Sequence, residues 1–146
     1  TQETEFLKKD EILLVTHKDH PVMECAHPKK EGDGYWVDVK DTGKFEYILS
    51  DYDTILGKLA REQFRKAGIR PFACNTTITA DLAASMGRTG IGLAFTYRSC
   101  AEPFDDTVYL SLGEEGTWLE LALARPYATY QSRAARALAE TAKEVL

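Results

Sequence analysis

The segment from Phe64 to Phe95, FRKAGIRPFACNTTITADLAASMGRTGIGLAF, constrains the fold more than any other part of the chain. A helix ending near Ala67 meets Gly68, where a left-handed C-terminal cap is expected because glycine has no Cβ to clash at positive φ. A strand from Phe72 to about Asn75 follows, then a helix from Ile78 to Met86 with Gly87 as its stop, then a strand from Ile91 to Phe95. That last run shows no polar alternation, so cover is expected on both its faces. Helices between short apolar strands are long enough for right-handed crossovers, which specifies an α/β domain with a mostly parallel sheet. Asn75-Thr76-Thr77 falls where a strand stops and a helix starts, the edge at which open α/β sheets bind ligands.

The flanking regions extend the same pattern. Glu11–Thr16 is a short apolar run bounded by charges and is expected to be a buried strand, followed by a turn from His17 to Pro21. Residues 24–34, with Pro28, Gly32 and Gly34, suggest an exposed loop, and Tyr35–Lys40 is ambiguous. Phe45–Leu49 suggests a second strand. Ser50–Asp53 supplies helix-start chemistry for a helix to about Ala67, whose Leu56, Leu59, Ala60, Phe64 and Ala67 share one face. Thr107–Leu112 and Trp118–Ala124 are expected strands around a Gly113–Gly116 loop. A closing helix, about Tyr130 to Val145, carries Ala134, Ala135, Leu138, Ala142 and Val145 as an apolar stripe to be covered by its own domain or by a second copy.

Composition narrows the function. A chain of 146 residues can bury one compact core. Its 18 Lys and Arg against 23 Asp and Glu argue against nucleic-acid binding by this stretch alone, since phosphate neutralisation needs clustered cations. No apolar run approaches the ~20 residues of a membrane span. Lys8, Lys9, Asp10 and Glu11 come too early for a signal peptide. Cys25, Cys74 and Cys100 form no tight spacing, as expected of reduced thiols in the cytoplasm. The start at Thr1 rather than Met suggests a piece of a longer polypeptide.

Several motifs have blander readings. Gly87-Arg88-Thr89-Gly90-Ile91-Gly92 runs from helix into strand, the reverse of a phosphate loop, so a cap and close strand packing explain its glycines. His17, His20, Cys25 and His27 could number a tetrahedral zinc set, but their spacing fits no standard knuckle. The serines lack a nucleophile-elbow pattern, and no histidine follows His27. No cofactor is implied.

Nearly the whole chain resembles the C-terminal half of the effector-binding domain of LysR-type transcriptional regulators. The resemblance rests on Ala67-Gly68-Ile69 with Pro71, the hydroxyl-rich strand end, Ala83-Ala84, Gly87 and Gly90-Ile91-Gly92, and on His17-Lys18-Asp19-His20-Pro21 after the first strand. It implies a type-II periplasmic-binding-protein-like fold. About 10–115 would form the second α/β subdomain, and 116–146 the return strand and terminal helix of the first. It also implies that an N-terminal winged helix-turn-helix, which contacts promoter DNA, lies outside this chain. Family members form homodimers and homotetramers, so the same is expected here. The redox-sensing members carry a reactive cysteine at the loop-to-helix junction, whereas this chain has Asp53-Thr54 there.

The effector-binding residues expected from these loops are Asp53, Thr54, Ile55, Asn75, Thr76, Thr77, Thr96, Tyr97 and Arg98. Asp53, Thr54 and Asn75–Thr77 also suit helix capping, and a helix N-terminus attracts a carboxylate ligand. Arg98 could pair with an acidic effector or stand as a solvated charge. The alternative function is a solute-binding or enzymatic relative of the same fold.

Overall fold

The computed structural model describes residues 5–75 and 78–124. Among them, residues 11–117 form one compact unit, and residues 5–10 with 118–124 belong to another. In chain order the elements are β1 (Glu5–His17), β2 (His27–Pro28), β3 (Tyr35–Val37), β4 (Tyr47–Leu49), α1 (Ile55–Ala67), β5 (Ala73–Asn75), α2 (Ala80–Arg88), β6 (Leu93–Tyr97), β7 (Thr107–Leu112) and β8 (Thr117–Ala124). The expected closing helix, together with Thr76 and Thr77, lies outside the described residues.

The strands are ordered β2-β3-β7-β1-β6-β4-β5, and β8 pairs with β1 off that path. The sheet is mixed, which corrects the mostly parallel arrangement expected from the sequence. β4 runs parallel to both β5 and β6, as the crossover helices α1 and α2 require. β1 runs antiparallel to β6 on one side and to β7 on the other. No local pattern announces those pairings, because the partners lie some eighty or more residues downstream, as in Val15↔Ala94 and Leu13↔Ser111.

Strand alternation sorts the core onto two faces. Ile12 and Leu14 of β1, Tyr47 and Leu49 of β4, and Leu93 and Phe95 of β6 pack with Leu56, Ala60 and Phe64 of α1. Between them Val15, Ile48 and Ala94 point the other way, to Ala83 and Ala84 of α2. Tyr47, Phe64 and Phe95 form an aromatic trio with centroids 4.7, 5.5 and 5.8 Å apart. The Tyr47 hydroxyl and Thr42 Oγ1 are 2.7 Å apart, and Thr42 Oγ1 donates to the Val39 carbonyl. Burial pushes the Tyr47 phenol above the usual tyrosine range, opposed by the Thr42 hydrogen bond.

Element ends differ from expectation where tertiary contacts decide them. α2 starts at Ala80, capped by the Thr79 hydroxyl, and runs to Arg88. Gly87 is therefore a buried helix residue and not the stop. A Cβ there would lie 2.8 Å from the Val15 carbonyl oxygen and 3.0 Å from the Ala94 Cβ, so its absence lets α2 approach the sheet. The left-handed turn falls at Gly90, and β6 begins two residues later than expected. Gly68 does cap α1 at φ 69°.

Alanine at Gly87 tests that close approach. It would gain about 1 kcal/mol of helix propensity but cost about 1–3 kcal/mol by overpacking. Gly87→Ala is expected to lower the urea midpoint; a raised midpoint would show that α2 has room to spare.

His20 offers a second check. Its Nδ1 accepts the Val22 N–H at 2.9 Å and its ring meets Phe45 edge-on. Burial lowers its pKa from the ordinary value of 6.5. The unfolded chain thus binds this proton more readily, so the contribution to stability is complete above that value and lost as pH falls through the folded-state pKa. His20→Asn keeps a capping acceptor and removes the titration. Its Tm should change less than that of the wild type between about pH 7 and about pH 5.5; equal slopes would place the effect elsewhere.

Candidate functional site

Because β4, β5 and β6 are parallel, their C-terminal ends share one edge, with Leu49 opposite Asn75 and Ile48 opposite Ala94. The loop after β4 turns into α1 through a closed set of hydrogen bonds. Thr54 Oγ1 accepts the Gly57 N–H at 2.9 Å and donates to the Asp51 carbonyl at 2.7 Å. Its single proton is thereby used, so Ser50 Oγ, 2.9 Å away, is the donor to Thr54. One donor and two acceptor positions are then filled, which makes the Thr54 hydroxyl a capping group first. The Asp51 N–H donates to the Ile78 carbonyl at 3.0 Å, tying this loop to the residues that enter α2.

Asp53 is exposed, and its N–H donates to Asp51 Oδ1 at 2.8 Å. Ile55 is exposed in the first turn of α1. Tyr52 lies under the Arg61 guanidinium at 4.9 Å, and Arg61 Nη1 donates to the Gly57 carbonyl. Gly57 makes this packing possible, since a Cβ there would collide with the Asp51 carbonyl oxygen and stand 2.8 Å from Thr54 Oγ1. Asn75 ends β5 at the same edge.

β6 continues the edge. Thr96 is buried opposite Leu13, Tyr97 is half-buried opposite Ile12, and Arg98 opens a short 3-10 turn. Arg98 Nε donates to Glu11 Oε1 at 2.7 Å. Glu11 Oε2 accepts Ser111 Oγ–H at 2.5 Å. The Glu11 side chain is 2 % exposed and that of Arg98 51 %. A buried carboxylate thus joins β1, β6 and β7 at the edge where β4, β5 and β6 end.

Sequence reasoning missed Glu11, Thr79 and Ser111. Thr79 was detectable as a capping hydroxyl ahead of a first turn that carries the acidic Asp81. Glu11 looked like a boundary charge of its strand, because its partners are 87 and 100 residues away.

The histidines serve separate local contacts. His17 Nδ1 accepts the Asp19 N–H, His20 caps its own turn, and His27 lies 4.5 Å from the Trp36 ring. Among the described residues, no three His, Cys, Asp or Glu side chains are grouped to hold a metal ion. A surface cavity of about 740 Å³ is lined by Lys29, Lys30, Glu31 and the 113–116 turn, and one of about 480 Å³ by Cys25, Lys40, Asp41, Gly43, Lys44, Ile69 and Arg70. Neither contains an expected site residue. No described helix is long and apolar enough to cross a membrane.

A sheet with helices on both faces and hydroxyl-capped helix starts along one edge is an open α/β arrangement, in which ligands bind at the strand ends as a rule. A family model described as the LysR substrate binding domain matches residues 3–146. The chain belongs to this family. Its fold is similar to the effector binding domain of QuiR in complex with shikimate, at 19% identity and TM-score 0.63 over 94% of this chain and 63% of that one. It is also similar to the regulatory domain of Synechocystis PCC6803 CcmR in complex with 2-PG, at 9% identity and TM-score 0.66 over 99% and 68% of the two chains. A third likeness is to the C-terminal domain of a probable LysR family transcriptional regulator from Rhodococcus sp. RHA1, at 18% identity and TM-score 0.60 over 97% and 67%. The chain therefore spans roughly two thirds of these domains, 63% of the first and 68% of the fullest. At such identities the likeness concerns the fold. The search of curated proteins returned no match.

Gly57→Ala is expected to push the 51–54 loop off α1, at a net cost of about 1–3 kcal/mol. Amide shifts should concentrate in residues 50–57 and 78–79; unchanged amides there would show that the loop and helix are not in tight register.

Proposed function

We propose that residues 10–115 are the second subdomain of a LysR-type effector-binding domain and that 116–146 supply the return strand and terminal helix of the first. The effector is a small carboxylate held along the edge formed by Asp53-Thr54-Ile55, Asn75-Thr76-Thr77 and Thr96-Tyr97-Arg98. The observation that carries this reading is the convergence of the β4, β5 and β6 ends beside two helix N-termini and one half-exposed guanidinium. Backbone N–H groups at helix starts favour anions, and Arg adds a forked donor. The chain acts by binding and not by turnover.

In the parent regulator the effector acts through its different affinity for two arrangements of the domain. That difference reaches promoter DNA through a separate DNA-binding domain, in a homodimer or homotetramer in the cytoplasm.

The test is a ¹⁵N-amide titration of the full chain with shikimate and benzoate, each paired with its uncharged amide. The acids are expected to shift the Thr54, Tyr97 and Arg98 amides and the amides to do so weakly. Shifts confined to other parts of the chain, or equal responses to acid and amide, would overturn the reading.

A further inference from the structure

Glu11 is the least expected group at this edge. It is a carboxylate held almost wholly out of water beside residues assigned to an anionic ligand. Burying a charge costs free energy unless it is paired and hydrogen-bonded, and here both oxygens are engaged. The geometry is specific. Continuing the Ile12↔Tyr97 ladder by one step sets Glu11 directly opposite Arg98 across the β1–β6 pair. Ser111 reaches the same carboxylate from β7, on the other side of β1.

The consequence falls on Arg98. Its Nε is committed to Glu11, which fixes the plane and direction of the guanidinium, while half of the side chain stays in contact with solvent. Pairing also cancels the charge that Arg98 would present to a ligand. An arginine free of its counterion attracts a dianion more than a monoanion; an arginine already neutralised gains little from a second negative charge, and the buried carboxylate repels it. Resting on the effector-site reading above, we propose that Glu11 is a positioning and specificity-determining residue that orients Arg98 and restricts this edge to ligands carrying a single negative charge. Ser111 acts through Glu11, by holding its second oxygen.

The experiment reads the Arg98 Nε–H resonance of the full chain during titration with acetate, a monoanion, and malonate, a dianion of the same functional group. In the wild type malonate is expected to bind no more than about twofold tighter than acetate, since a neutralised pair exerts little net field. In Glu11→Gln the shape is kept and the counter-charge is lost, so the preference for malonate should rise on the order of tenfold. Ser111→Ala keeps the charge and should leave the preference unchanged while broadening the Arg98 resonance.

An unchanged malonate-to-acetate ratio in Glu11→Gln, or an Arg98 resonance that neither anion moves in the wild type, overturns the proposal. Should Glu11→Gln fail to fold, the double variant Glu11→Gln/Arg98→Gln removes both charges and leaves no guanidinium without its counter-charge. It is expected to fold and to lose the acetate response at the Tyr97 and Ser99 amides; folding with that response intact overturns the proposal. Failure here with Thr54 and Tyr97 still responding to the larger acids sinks the role of Glu11 alone. Loss of the Thr54 and Tyr97 response, with Arg98 still sensing acetate, sinks the effector site instead.

Discussion

Everything in the larger unit is organised by the placement of β1 inside the sheet. Its Ile12, Leu13, Leu14 and Val15 side chains are at most 2 % exposed, and it pairs with β6 on one side and β7 on the other. An interior strand has both edges hydrogen-bonded and both faces covered, so its sequence must be apolar without alternation. Ile12 and Leu14 join the cluster containing α1, and Val15 joins the one containing α2. Removing β1 would separate the β4–β5–β6 group from β7, β3 and β2, since no other strand in the order joins them.

That placement also explains the chemistry at the edge proposed to hold the effector. The strand that supplies the central apolar run begins, in this unit, with Glu11, and its antiparallel direction delivers the carboxylate to the end of the sheet where β6 and β7 finish. A parallel β1 would carry Glu11 to the opposite edge, away from Arg98 and Ser111. The polar groups after β4 are likewise committed to one another, through Ser50, the Asp51 carbonyl, Thr54 and the Gly57 amide. Such mutual hydrogen bonding holds side chains and helix starts in fixed positions before any ligand arrives, which is the condition for orienting a small polar molecule.

The glycines show how close approach shapes this arrangement. Gly57 admits the Asp51 carbonyl against the first turn of α1, and Gly87 admits α2 onto β1. Both lie within helices, where glycine costs about 1 kcal/mol relative to alanine. The packing they permit accounts for their presence at positions that a cap would not require.

The local chemistry of the chain determined much by itself. Apolar periodicity located α1 and its buried face, the Thr107–Leu112 strand, and the strand–helix alternation that makes β4, β5 and β6 parallel. Glycine stereochemistry placed the α1 cap at Gly68, and the Thr54 side chain was legible as a helix cap. That cap was visible because caps are set by neighbours a few residues apart. Tertiary structure alone decided the direction of β1 and the mixed sheet. It also decided the extension of α2 through Gly87 and the burial of Glu11 against Arg98 and Ser111. The reason is physical: antiparallel pairing and buried ion pairs join residues far apart in sequence, and their energy depends on a shared low-dielectric environment that exists only once the strands have assembled.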